Sequence, residues 1–295
     1  MAARGRAAAS RRVKLQLFKP LWGHTGTIAQ AATQARLAGF DGIEGPIPAD
    51  PAERIVFTET LQSHSLFYIA EISATGFANP DPAATVDDQL DTFQRLLALS
   101  LEANPLFCTT MSGNDLWTFA QSLDFLTRAH QIALRHHARV AFETHRSRTL
   151  FHPIITRDLL RELPHMELTI DFSHWCVVTE RLVMDLLPDI LDLCSRHVLH
   201  IHARIGYDQG PQVPDPRAPE YAPAVDAHLR WWRALWTGQR HRAFNTVTMT
   251  PEFGPDGYLH LQPHTQKPVA DLWDLNTWTA HLLRREFHTF LNNPT

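Results

Sequence analysis

The sequence predicts one α/β domain, a closed (β/α)8 barrel. From Val13 onward, eight short apolar runs alternate with longer amphipathic ones. No GxGxxG turn follows the first run, where Pro20-Leu21-Trp22-Gly23-His24 stands instead. The length, 295 residues, suits a barrel, which takes about 250. Alternating strands and helices imply a parallel sheet, and the open doubly wound alternative would carry a Gly-rich phosphate turn at that first loop. One barrel is therefore expected over residues 13–295, with no repeat and no linker.

The first strand is read at Lys14–Phe18. The Ala-rich helix Ile28–Ala38 follows and stops at Gly39, a residue suited to the left-handed conformation past a helix end. Strand Gly42–Glu44 leads to helix Ala52–Ser63, whose start is marked by Asp50-Pro51. Strand Phe67–Ile72 precedes helix Thr85–Leu101, where Val86, Leu90, Phe93, Leu97 and Leu101 recur close to a helical period. Strand Leu106–Thr110 pairs with helix Leu116–His136, Val140–Thr144 with Thr156–Leu163, and Leu168–Asp171 with Leu182–Cys194. The last two pairs are Val198–Ala203 with Val225–Trp236 and Thr246–Glu252 with Trp278–Leu291.

After the seventh strand, residues 206–223 carry Pro211, Pro214, Pro216, Pro219 and Pro223. An insertion there lies on the C-terminal face of a barrel, where active sites are built. It reads as a substrate lid, as a pad for a neighbouring subunit or as a plain surface loop.

Composition narrows the function classes. A net charge of −4 offers no general reason to expect nucleic acid. No apolar run approaches the roughly 18 residues of a membrane span. Cys108, Cys176 and Cys194 form no CxxC pair, as in a reduced, cytoplasmic protein. Residues 1–12 are basic and lack an apolar segment, so they read as a disordered tail, with an organelle-targeting remnant as the alternative.

The chemistry concentrates where strands five to eight end. Strand residues two apart share a face, so Glu143 and His145 point one way, and His200, His202 and Arg204 share another face. Asp171 closes the sixth strand with His174 three residues on, in a loop, and Glu252 ends the eighth. Taken singly, each reads as an ordinary buried polar residue. Together, Glu143, Asp171, His202 and Glu252 converge on one mouth as three carboxylates and an imidazole. That set suits Mn²⁺, Mg²⁺ or Co²⁺, and fits Zn²⁺ less well because no thiolate contributes. His202 lies nearer the mouth than His200 and is the ligand; His200 has a core or supporting role.

Glu143 in AFETHR, Asp171 and His174 in IDFSHW, His202 and Arg204 in HIHARIG, and Glu252 in TPEFG resemble the xylose isomerase-like TIM-barrel superfamily. Its sugar-phosphate isomerases and epimerases are the nearest members. The resemblance spans about Val13 to Leu291. It implies one Mn²⁺-type ion held by Glu143, Asp171, His202 and Glu252, with Glu143 and Glu252 also as the acid/base pair, and His174 and Arg204 on substrate oxygens. Two departures stand out: Thr144-His145-Arg146 replaces the Asn-Arg pair common in the epimerases, and the Pro-rich segment is long.

The expected reaction is proton abstraction beside the carbonyl of a small polyhydroxylated substrate, giving an enediolate, and thus isomerisation or epimerisation. The second reading is a keto-sugar lyase or dehydratase with His145 as acid or base, and the third a non-catalytic barrel subunit. His145 alternatively orients Glu143. Arg146, Arg148 and Arg217 read as anion-binding or as solvated surface residues. Trp22, His24 and Trp175 read as substrate contacts, Trp22 equally as packing, and Glu71 as a substrate contact or as the partner of an arginine. A homo-oligomer or a partner subunit is compatible with all of this.

Overall fold

The computed structural model describes residues 13–77, 79–255 and 257–292. The tail expected at residues 1–12 lies outside the described residues. Eight parallel strands close a barrel in chain order. They are β1 (Lys14–Pro20), β2 (Gly42–Gly45), β3 (Phe67–Ile72), β4 (Cys108–Thr110), β5 (Val140–Glu143), β6 (Glu167–Ile170), β7 (Val198–His202) and β8 (Thr246–Thr250). Closure is made by β1 against β8, from Lys14 opposite Thr246 to Leu17 opposite Met249.

The helices outside the sheet are α1 (Ile28–Leu37), α2 (Pro51–Ser63), α3 (Val86–Leu101), α4 (Phe119–Arg135), α5 (Pro153–Glu162), α6 (Phe172–Thr179), α7 (Pro188–His197), α8 (Ala222–His241) and α9 (Leu272–Asn292). Their starts follow from local chemistry. Thr27 with Gln30, Thr85 with Asp88, and Thr118 with Gln121 form reciprocal capping boxes, and Asp50 caps α2 just before Pro51. Each box satisfies backbone N–H groups that the first helical turn otherwise leaves without partners. No helix among the described residues is long and apolar enough to cross a membrane.

Three local expectations are corrected. His174 is not in a loop; it sits in the first turn of α6, capped by Asp171, whose Oδ1 accepts from Ser173 N at 2.8 Å. That helix buries Phe172 through Cys176, and an element covered on most sides has little polar–apolar alternation to reveal it. The expected helix Leu182–Cys194 is split into a 3-10 turn at Val183–Leu186 and α7. Pro188 divides them because it lacks an N–H and disfavours helical geometry at Leu187. The strand expected at Thr246–Glu252 stops at Thr250, where Pro251 has no donor for a further rung.

The barrel bore is plugged by Phe18, Ile69, Phe107, Ala141 and Leu199, an apolar cluster separate from the main core between sheet and helices. Mouthward of it lies a polar layer in which the Thr109 hydroxyl donates to Thr169 at 2.6 Å. The Pro-rich segment is no free loop. Val213 is fully buried and its N–H donates to Ile205 O. The Gln212 amide makes a two-way clasp with the Gly254 backbone, accepting at 2.8 Å and donating at 3.2 Å. The segment thereby straps down the turn that carries Glu252.

Candidate metal centre and active site

Glu143 ends β5, Asp171 follows β6, His202 ends β7 and Glu252 lies two residues beyond β8. All four are buried, and one oxygen or nitrogen from each lies within 4.8 Å of the others. His202 Nδ1 is 3.2 Å from Glu143 Oε1 and 3.0 Å from Glu252 Oε2. The structure therefore brings together the four residues that the strand ends single out.

One partner in this layer goes unsingled in the sequence reading. Glu44, on β2 and 3% exposed, accepts from His202 Nε2 at 2.9 Å and from His200 Nε2 at 3.1 Å. The Thr250 hydroxyl also donates to it. A glutamate closing a short apolar strand is the available signal, the same one that marks Glu71. His200 supports this carboxylate from below, with its Nδ1 at 2.9 Å from the Thr248 hydroxyl.

Charge in this layer is unbalanced. Burial works against an imidazolium at His202, but Glu252, Glu44 and Glu143 outweigh it and hold its pKa well above the ordinary value. Burial raises Glu143 to about 7, against the pull of His202. Burial likewise lifts Asp171, opposed by Arg204. Glu71 is held protonated by burial and by the neighbouring Glu252, Glu44 and Glu143. Among the described residues Glu143 Oε2 has no hydrogen-bond donor, and Glu252 Oε2 receives no well-directed hydrogen bond although His202 Nδ1 lies 3.0 Å away. Buried carboxylate oxygens without donors are costly. A divalent cation between these groups would satisfy both oxygens and replace the His202 proton, so the residues present fit one.

Arg204 braces the acids. It donates to Asp171 Oδ2 and to Ser173 Oγ, and stacks over Tyr258 at 4.7 Å from the ring centroid. Its Nη2 is 2.7 Å from His174 Nε2. Because arginine only donates, that nitrogen of His174 accepts and the proton sits on Nδ1, which is buried and has no hydrogen-bond partner among the described residues. His145 is the same tautomer, held from its other ring nitrogen. Its Nδ1 donates to Arg146 O at 2.5 Å, which leaves Nε2 unprotonated. Burial, aided by the nearby arginines, keeps both rings neutral. Their centroids are 3.8 Å apart.

Above the acids opens a chamber of about 320 Å³ lined by Trp22, Glu71, Glu143, His145, Arg146, Arg148, Arg204, Glu252 and Tyr258, together with Phe77, Asn79 and Met111. That is the small end of the range for small-molecule sites, about 300–1,000 Å³. Among the described residues no arginine pairs with Glu71. Tyr258, in the turn after β8, has no counterpart in the sequence reading, and nothing in its local pattern marks it.

Other expected contacts lie elsewhere. His24 lines a neighbouring cleft, not this chamber. Trp175 is fully buried in the core, its Nε1 donating to Leu150 O at 3.0 Å. Arg217 is at the surface, bridging Asp215 and Asp274.

No family model matches the sequence, and no curated protein matches it. Solved structures do. The chain is similar to a xylose isomerase-like TIM barrel protein from Mycobacterium smegmatis in complex with magnesium, with a TM-score of 0.65, 12% identity and coverage of 94% of this chain and 97% of that one. The fold is that of the xylose isomerase-like TIM barrels. The 3-keto-D-glucoside 4-epimerase YcjR from E. coli matches with a TM-score of 0.57 at 15% identity, over 92% of this chain and 100% of that one. The probable 3-DHS dehydratase AsbF from Bacillus anthracis matches with a TM-score of 0.54 at 14% identity, over 92% and 98%. Different chemistries thus share this xylose isomerase-like scaffold, so the reaction must be argued from the site.

Proposed function

We propose that the chain is a divalent-metal-dependent isomerase or epimerase that moves a proton beside the carbonyl of a small polyhydroxylated substrate. The observation that carries this reading is the pair Glu143 and Glu252, whose Oε1 and Oε2 lie 3.2 Å and 3.0 Å from His202 Nδ1 within one buried cluster that also holds Asp171. Glu143, Asp171, His202 and Glu252 would hold the ion, most simply Mn²⁺ or Mg²⁺ given the oxygen-rich set. A cation bound there supplies Lewis-acid stabilisation of the negative charge that develops on substrate oxygens.

The chain's own residues supply the rest. Glu143, with its pKa at about 7, is suited to take a proton near neutral pH. Glu252, whose Oε2 lies 3.0 Å from the same His202 nitrogen as Glu143, can deliver one. Protonated Glu71 and the Nδ1–H of His174 are donors for substrate oxygens. Trp22 and Tyr258 wall the chamber and offer faces for sugar C–H groups.

A second reading is favoured by one specific feature. His145 is fixed with Nδ1 donating and Nε2 free, which makes it a ready base for elimination of water from a keto-sugar. The similarity of fold to an E. coli epimerase and to a probable B. anthracis dehydratase supports keeping both readings.

Both readings are tested by incubating the metal-loaded protein with a panel of keto-sugars and hydroxy-keto acids in deuterated water. Deuterium uptake with mass otherwise conserved supports isomerisation or epimerisation, and loss of water supports elimination. Either activity should vanish with a chelator and in Glu143→Gln. Full turnover by a metal-stripped preparation overturns the proposal.

A further inference from the structure

Beside the metal chamber, and separated from it by Trp22, lies a second cleft of about 470 Å³ between the start of α1 and the start of α9. It contains a feature that the proposed reaction does not use. Lys19 is only 3% exposed. Its ammonium donates to Pro20 O at 3.2 Å and lies 4.9 Å from the centroid of the Trp273 ring. Among the described residues no carboxylate is within ion-pair distance of it. A buried cation without a counter-charge is costly, and burial accordingly draws this lysine down to about 8, which still leaves it mostly charged at neutral pH.

His24 lines the same cleft, and burial, then Lys19 itself, lowers its pKa and favours the neutral ring. The cleft opens beside Thr25 and Gly26, just ahead of the first turn of α1, where the ten-residue helix presents its positive end. Gln30 and Gln34 face it from α1. The acid on its rim, Asp271, is exposed and accepts from Asp274 N at 2.8 Å at the start of α9.

We propose that this cleft binds an oxyanion, a phosphate or carboxylate group, with Lys19 as its charge partner. An oxyanion there neutralises the lysine and meets the end of α1, two effects that a neutral ligand or a cation lacks. Because Trp22 borders both spaces, the anion belongs either to a free ion or to a phosphorylated ligand, and a test can separate these.

The test is titration of inorganic phosphate into the full-length protein with chelator present, followed by calorimetry and by ³¹P NMR line broadening. Saturable binding is expected, reduced about tenfold or more in Lys19→Met. Thr25→Asp, at an exposed rim position, should also weaken binding while leaving the melting temperature unchanged. That variant keeps the test decisive if Lys19→Met folds poorly. Affinity should fall as pH rises past about 8, where Lys19 loses its proton. A hexose phosphate that displaces phosphate and binds more tightly assigns the site to a phosphorylated ligand, and equal affinity assigns it to the free anion. Absence of saturation overturns the proposal. So does unchanged affinity in both variants, which would place the phosphate at Arg146 and Arg148. Glu143→Gln should bind phosphate like the unaltered protein, so failure here is distinguishable from failure of the metal-dependent reading.

Discussion

Glu44 Oε1 accepts from His202 Nε2 at 2.9 Å, while the other ring nitrogen of that histidine faces Glu143 and Glu252. A carboxylate on the outer nitrogen fixes the tautomer in which Nδ1 is free to bind a cation, and it raises the basicity of that nitrogen. Glu44 thereby becomes the positioning residue for the centre. In Glu44→Gln, affinity for Mn²⁺ should fall by about 10–100-fold. Titration calorimetry measures it, and unchanged affinity would remove Glu44 from the centre.

The pH dependence of the chelated protein follows from the buried acids. A carboxylate whose pKa is higher folded than unfolded binds its proton more tightly in the folded state, so stability falls as pH climbs between the two values. For Glu143 that window runs from its ordinary 4.5 to about 7. Glu71 and Asp171 are raised as well and act in the same direction. His202, also raised, contributes stability that is present below its ordinary 6.5 and lost as pH rises through its folded value. The buried histidines His145, His174, His200 and His228, lowered by burial, act in the opposite sense up to their ordinary 6.5, so melting temperature with chelator should decline from about pH 6.5 to about pH 8. Adding Mn²⁺ should flatten or reverse the decline, because the cation takes over the role of the bound protons. A chelated protein that becomes more stable across that range contradicts this account.

His145 separates the two proposed reactions. If its unprotonated Nε2 takes a proton from substrate, His145→Gln should lower kcat by about 10²–10⁴ with KM little changed. If it only orients the chamber, the loss stays below tenfold and the melting temperature moves instead. Steady-state kinetics and a melting curve on the same preparation distinguish these outcomes.

The clasp between Gln212 and Gly254 predicts a stability effect away from the chemistry. Gln212→Ala leaves the buried Gly254 N–H and C=O without partners, at a cost of about 1–3 kcal/mol. Melting temperature should drop by several degrees, and protease cleavage should appear in the strap at residues 206–223. An unchanged melting curve would mean the strap is held by Val213 alone.

What the chain determined locally was the alternation of elements, the capped helix starts at Thr27, Asp50, Thr85 and Thr118, and the acidic strand ends at Glu143, Asp171 and Glu252. These depend on residues a few positions apart, whose periodicity and capping chemistry act before any long-range contact forms. Closure of the barrel then follows from strand order, so the meeting of Glu143, Asp171, His202 and Glu252 was legible as well.

The tertiary structure decided the rest. Glu44 meets His202 across 158 residues of chain, and Trp22 borders both spaces while His24, two residues on, lines only the second cleft. That residues 206–223 are tied to the turn carrying Glu252 became visible only with Gln212 against Gly254. Which nitrogen of His145 or His174 carries the proton depends on the single donor or acceptor that packing places beside it. The charge imbalance at the mouth, like the solitary ammonium of Lys19, arises from burial, and burial is a property of the assembled barrel that no local stretch of sequence contains.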